Sequence, residues 1–363
     1  VTQQGSLDLA HEMAAAIAGV FAVESVTTGG SDGRLIRMQG QLVVDSQQAY
    51  EQIAARFKPY GYTALMRKAN GQVLITAIPR LFAPRSGVDY AAIGLFVFTV
   101  LSVLFVGGLN EGLNLDGVLT HPLAGLSFAA SLLAILMAHE AGHYLMSRRM
   151  GVAVSLPYFI PLPLPPFGTM GSVIRMQAPM RNRRQALAIG AAGPLAGLLV
   201  AIPLLIIGLS KSVVAPLVPG SGGLMEGNSL LYAAIKYLVF GRMLPGGGYD
   251  VMLHPMAFAA WGGLLVTMLN LIPAGQLDGG HVAYALLGER TRWINRLAVI
   301  ATAALGLVQQ SWLIWALLLL VLGQRSDEPL DEVTELTMGQ KAFAMGMLLL
   351  FVLLFMPRFL YEI

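Results

Sequence analysis

Cysteine is absent from the 363 residues, which excludes disulfides, thiolate nucleophiles and cysteine-held metals together, so that any zinc must be bound by His, Asp or Glu. The redox compartment stays open. Charge is also scarce: 12% of residues are charged, against about 25% in soluble domains, while 56% are hydrophobic and the mean hydropathy is +0.67. That balance marks a membrane protein. The net charge of +3 is too small to suggest a nucleic-acid partner, and the basic residues fall near the ends of apolar runs, where they set orientation. No coiled coil, phosphate loop or nucleic-acid module is found. No charged-then-apolar leader is read at the start, and Val1 is compatible with a trimmed end.

What is present centres on His139-Glu140-x-x-His143, at the end of the apolar run 132–138. Histidines four apart share one helical face, so both imidazoles can reach one zinc ion while Glu140 acts on a water at the metal. Ionisable side chains at membrane depth cost several kcal/mol on some scales and persist mainly where they do chemistry or line a polar path. The alternative, two surface histidines on an ordinary helix, is disfavoured by the preceding apolar run and by a second polar interruption downstream.

Residues 1–85 have the texture of a soluble domain, in two halves that each read helix, strand, strand. Leu9, Met13, Ile17 and Phe21 fall at helical spacing, as do Ala49, Ile53 and Phe57 behind a capping Asp45. Asn70-Gly71 between two apolar runs signals a hairpin. A small antiparallel sheet covered by two helices is expected, with a docking or regulatory role and no chemistry. After a basic linker at 80–85, spans are expected at 90–108, 122–146, 186–209 and 255–272, then a hairpin at 293–323 and a final span at 343–356. Arg148, Arg149, Arg175, Arg181, Arg183 and Arg184 follow the second span, which by the positive-inside rule ends in the cytosol, as does the N-terminal domain.

Five prolines at 157–166 forbid a helix, and the Gly-rich run 168–176 suits an extended strand beside the site. Gly190, Gly193 and Gly197 allow close helix approach. Residues 210–253 are expected on the outer surface, with an apolar helix at 229–240. The fourth span ends in Asn270, Pro273 and Gln276-Leu277-Asp278-Gly279-Gly280-His281, at the level where the second ends. Asp278 is therefore available as a third zinc ligand. His11, His121 and His254 read as bystanders, and Gly279-Gly280 argues against a helix continuing to His281.

Taken together, His139-Glu140-x-x-His143, Gly193-Pro194-x-x-Gly197 and Asn270 followed by Pro273 and Leu277-Asp278-Gly279 resemble the site-2 protease family of intramembrane zinc metalloproteases, in its bacterial and chloroplast branch. The resemblance covers about residues 122–285. It implies cleavage of peptide bonds in or near transmembrane segments of membrane proteins, after a first cut by an upstream site-1-type protease. His139, His143 and Asp278 would hold Zn2+, Glu140 would act as base then acid, and Asn270 would stabilise the oxyanion. Gly171, Ser172, Val173 and Ile174 are the candidate edge to which an unwound substrate adds as a strand.

The sequence thus predicts an α-helical polytopic membrane protein of about six to seven transmembrane helices, with an N-terminal α+β domain (1–85) and a membrane metalloprotease domain (86–363). Its expected place is the bacterial inner membrane, with a chloroplast membrane as alternative. Competing functions are a metal-ion transporter, which would spread polar residues over several depths, and a non-catalytic chaperone derived from a protease, which would ordinarily lack Glu140.

Overall fold

The repeated pattern of the first residues folds as a repeated unit. In the computed structural model, which describes residues 3–30, 34–82, 87, 89–217, 224–322 and 329–362, α1 (Gln3–Ile17), β1 (Phe21–Gly29) and β2 (Leu35–Leu42) are followed by α2 (Ser46–Phe57), β3 (Thr63–Ala69) and β4 (Gln72–Ile78). The antiparallel sheet has the order β1-β2-β4-β3. Met13, Ile17, Ala49, Ile53 and Phe57 from the helices bury against Ile36, Met38, Met66 and Ile75 from the strands. Asp45 caps α2 through the Gln47 amide, and Asn70 and Gly71 take the positive φ values, 51° and 81°, of a tight hairpin turn.

The chain divides into two compact units, Val1–Arg85 with Gln177–Ala186 and Asp327–Lys341, and Ser86–Met176 with Leu187–Ser326 and Ala342–Ile363. In the first, two later segments close the β3 edge. Met66 N donates to Leu330 O (2.7 Å) and Glu332 N to Met66 O (3.0 Å), while Leu330 N in turn reaches Met180 O (2.9 Å). An open edge is thereby removed. Asp331, at the centre of this seam, is buried; burial pushes its carboxyl up, against backbone hydrogen bonds from Val333 and Thr334.

The second unit contains α3 (Tyr90–Asn110), α4 (Leu115–Thr120), α5 (Leu126–Arg149), a hairpin of β5 (Tyr158–Pro161) and β6 (Thr169–Val173), and most of α6 (Arg183–Ser210). Then follow β7 (Val213–Pro216), β8 (Leu224–Glu226), α7 (Leu230–Phe240), β9 (Tyr249–Met252), α8 (Pro255–Asn270) and α9 (Asp278–Leu287). The chain continues through α10 (Thr291–Leu305), α11 (Ser311–Leu322), α12 (Met338–Leu354) and β10 (Leu360–Glu362). Helix α5 packs between α3 and α8, with Val103, Phe128, Leu132, Leu136, Phe159 and Ala259 as its core.

The expectation of six to seven transmembrane helices is not met. Among the described residues, two helices are long and apolar enough to cross a membrane, Tyr90–Asn110 and Arg183–Ser210. The reasons differ from helix to helix. At about 1.5 Å per residue, the 16 residues of α8, 17 of α12 and 12 of α11 fall short of a hydrocarbon core of about 30 Å. Helix α5 is long enough, but Glu140, Arg148 and Arg149 interrupt its apolar character. The run 293–323 is two helices broken around Gln309, whose side-chain amide donates to Leu360 O (2.9 Å) and accepts from Phe359 N (2.7 Å). The polar interruption holds the C-terminal strand. Residues 83–85 of the linker and residues 323–328 lie outside the described residues.

Candidate active site

Helix α5 has no β-branched run or proline to stop it before Arg149, so His139 and His143 lie one turn apart on one face. Their Nε2 atoms are 3.1 Å apart. The third group arrives through a broken helix. Helix α8 stops at Asn270, residues 271–277 fold back through Pro273 and Gly275, and Asp278 opens α9. Its Oδ2 lies 3.2 Å from His139 Nε2 and its Oδ1 3.2 Å from His143 Nε2, so one carboxylate spans both imidazoles.

Those spacings test a metal directly. Around a tetrahedral ion with bonds of about 2.0 Å, neighbouring ligand atoms sit about 3.3 Å apart. Protonation points the same way. His143 Nδ1 donates to Ile189 O (2.8 Å), which in the neutral ring puts the lone pair on Nε2, facing the other two ligand atoms. Two ring nitrogens and a carboxylate converging on one point need a positive charge among them. Among the described residues, His139, His143 and Asp278 are the group of three His, Cys, Asp or Glu side chains whose ligand atoms meet in this way.

Helix α6 makes the convergence possible. A Cβ at Gly193 would stand 2.0 Å from His143 Nε2, and one at Gly142 would stand 2.4 Å from Ala192 O, so α5 and α6 touch backbone to side chain with no room for a methyl. Gly197 is less pressed, 3.4 Å from His139. The small residues read from the sequence as aids to helix packing are here the wall against which the ligands stand.

Glu140 is buried beside these residues, and Ser172 Oγ donates to its Oε1 at 2.7 Å. Ser172 sits on β6, whose hairpin with β5 is tied to α3: Ser102 Oγ donates to Gly168 O (2.6 Å) and Asn110 Nδ2 to Pro166 O (2.9 Å). Phe96 and Phe159 pack with ring centroids 5.1 Å apart and planes tilted by 60°. The proline-rich segment is thus a fixed arm that carries a hydroxyl to the glutamate. The site opens into a cavity of about 210 Å³ lined by His139, Glu140, Ser172, Val173, Ile174 and Asn270 among others. Val173 is exposed and Ile174 follows the strand, while Gly171, buried at φ 94°, is not part of the lining. Asn270 Nδ2 lies 3.3 Å from His139 Nε2.

One expectation about the ligands is corrected. Gly279-Gly280 does not end the helix before His281, because α9 runs continuously over Asp278–Leu287. The glycines serve packing: a Cβ at Gly279 would meet Leu271 O at 2.0 Å and one at Gly280 would meet Gly275 O at 2.3 Å. His281 lines the cavity with its Cβ against Gly190, outside the converging three. Of the others, His254 caps α8 by accepting from Met256 N, and His11 and His121 lie elsewhere. Sequence reasoning missed the Ser172–Glu140 and His143–Ile189 bonds, since neither partner type nor spacing announces them.

A family model described as Peptidase family M50 matches residues 127–317, more than half of the chain and the stretch that holds every residue of this constellation. The chain belongs to this family. The M50 chain is 32% identical over 289 residues to "Probable zinc metalloprotease EGY2, chloroplastic" of Arabidopsis thaliana, covering 76% of this chain and 48% of that protein. It is 31% identical over 242 residues to "Probable zinc metalloprotease EGY1, chloroplastic" of the same plant, covering 64% and 43%. Against "Probable zinc metalloprotease EGY3, chloroplastic" of Oryza sativa subsp. japonica it is 25% identical over 294 residues, covering 75% and 48%. The chain spans about half the length of the curated relatives it matches. No solved structure matches it.

Proposed function

We propose that this M50 chain is a zinc metalloendopeptidase that cleaves peptide bonds in or near membrane-spanning segments of other membrane proteins. The observation that carries the reading is the convergence of His139, His143 and Asp278 at 3.1–3.2 Å with Glu140 in the same cavity. His139, His143 and Asp278 would hold the metal, and zinc is the metal in the printed names of the chloroplast relatives. When bound, the ion lowers the pKa of a water toward 7 and polarises the scissile carbonyl.

The protein's own groups carry the proton. Glu140 accepts it from the attacking water and later gives it to the leaving amine. Ser172 donates to Oε1 and orients this carboxylate. Asn270, whose amide nitrogen already points at the ligand cluster, donates to the oxyanion. A substrate helix hides its carbonyls in its own ladder and must unwind, which leaves backbone groups unpaired at several kcal/mol each in a bilayer. Strand β6, paired with β5 in a two-stranded sheet and lining the cavity through Ser172 and Val173, supplies the edge that pairs with them.

Substrates are membrane proteins with a transmembrane segment, trimmed first by an upstream site-1-type protease. The chain is embedded in a bacterial plasma membrane or its chloroplast counterpart, with the first unit on the cytosolic side. The test is co-expression with a panel of single-span membrane proteins, comparing fragments from wild type and Glu140→Gln by mass spectrometry. New fragments that depend on Glu140 are expected; an identical fragment set from both would overturn the reading.

A further inference from the structure

Helix α10 is inverted for a helix facing water. Its buried arc carries the hydroxyls of Thr291 and Thr302, whereas Trp293, Leu297 and Ile300, spaced four and three apart on the outer arc, are 59%, 61% and 65% exposed. Arg292 and Arg296 flank that stripe and are themselves exposed. The Arg296 guanidinium lies 4.8 Å from the centroid of the Trp293 ring, and that of Arg292 6.0 Å. The apolar surface continues on α11 with Leu313, Ile314 and Leu317, all at least half exposed. Contiguous exposed apolar surface of this kind marks a membrane or protein contact.

Length and charge decide between crossing and lying flat. Fifteen residues reach about 22 Å, too short for the hydrocarbon core, and the helix starts with arginines and an amphipathic tryptophan. An apolar stripe edged by basic residues is the pattern of a helix at the bilayer interface. Between positions 289 and 296 three arginines face a single carboxylate, Glu289, so the charge that complements this patch is negative.

We propose that the outer arc of α10 is a lipid-contact surface whose Arg292 and Arg296 bind the headgroups of anionic phospholipids, with Trp293 at headgroup depth. Trp293 and the arginines share one patch, so the tryptophan reports on the lipid they select. The other side of the helix faces the site, since Asn295 Oδ1 accepts from Gly275 N (3.2 Å) in the loop that precedes Asp278. A lipid held by the arginines therefore sits across one helix from that loop.

The proposal stands apart from the proteolytic reading, and its test uses no substrate. The full chain is reconstituted into phosphatidylcholine vesicles containing, at equal mole fraction, brominated phosphatidylcholine or brominated phosphatidylglycerol. Quenching is read on the tryptophan emission that Trp293→Phe removes; of the other three tryptophans Trp261 and Trp312 are fully buried and Trp315 is partly buried, and all three remain in the variant, so the difference isolates Trp293. That emission is expected to be quenched by both lipids and more strongly by the anionic one, a preference of roughly fivefold per arginine. The double variant Arg292→Gln, Arg296→Gln should keep quenching by phosphatidylcholine and the circular dichroism of wild type while losing the preference. Absence of quenching by either lipid, equal quenching by both in wild type, or a preference that survives the double substitution would each overturn it.

Discussion

Two buried polar clusters lie in the same unit and are built on opposite plans. Around Lys236, fully buried on α7, Glu226 Oε1 lies at 3.3 Å, Asp250 Oδ1 at 3.7 Å and the Tyr232 ring at 4.6 Å, while Tyr232 donates to Glu226 at 3.0 Å. Burial pushes the Glu226 carboxyl up, and Lys236 opposes it. That cluster contains its own cation. At His139, His143 and Asp278 the converging atoms are two imidazole nitrogens and a carboxylate, with the His143 N–H turned away to Ile189. Two imidazole nitrogens and a carboxylate gathered with no lysine or arginine among them suit a metal; the Lys236 group already holds a lysine, which joins β8, α7 and β9.

The comparison can be broken by exchanging effects between the clusters. Glu140→Gln leaves every ligand in place and removes the proton acceptor, so cleavage should fall by about 10²–10⁴, the usual share of general acid–base catalysis. The check is the initial rate on any substrate that the co-expression panel yields. Lys236→Met strips the cation from two buried carboxylates and should cost about 3–5 kcal/mol of stability, seen in thermal or denaturant unfolding. Zinc per folded chain should not change. Loss of zinc in that variant would mean the clusters are coupled and the contrast is false.

Within the site, Gly193→Ala should displace His143 and lower zinc content severalfold, whereas Gly197→Ala, with 3.4 Å available, should be close to neutral by the same assay. Ser172 is tested on rate instead of zinc. Ser172→Ala removes a hydrogen bond to a charged group, worth about 1.5–3 kcal/mol, and should lower kcat roughly tenfold or more with little change in KM. Ser172→Thr, which keeps the hydroxyl, should recover most of the rate. A KM effect without a kcat effect would place Ser172 in substrate binding instead.

Much of the site was legible because its chemistry is local. The four-residue spacing of His139 and His143 fixes a shared helical face, and Asp278 follows Pro273 and Gly275, where the chain leaves one helix and starts another. The repeat in residues 1–85 was legible for the same reason, since apolar spacing and Asn70-Gly71 are short-range signals. What the residues did not announce depends on distant partners. Ser172 meets Glu140 across 32 positions, and His143 meets Ile189 across 46. Lys236 is fully buried, and its counter-charges Glu226 and Asp250 come from separate strands that no local spacing links to it. The span count failed because hydropathy reports how apolar a run is and says little about where its helix ends: α8 stops at Asn270, and the two arms of the expected hairpin at 293–323, 15 and 12 residues long, are each too short to cross.

The central claim is that three named side chains hold the metal and that Glu140 is a base beside them. It is tested most directly by zinc per purified chain, measured by atomic emission in wild type, Glu140→Gln and Asp278→Ala. Wild type and Glu140→Gln should each carry stoichiometric zinc, and Asp278→Ala should have lost most of it while keeping its fold by circular dichroism. Zinc retained in folded Asp278→Ala, or lost from Glu140→Gln, would contradict the account.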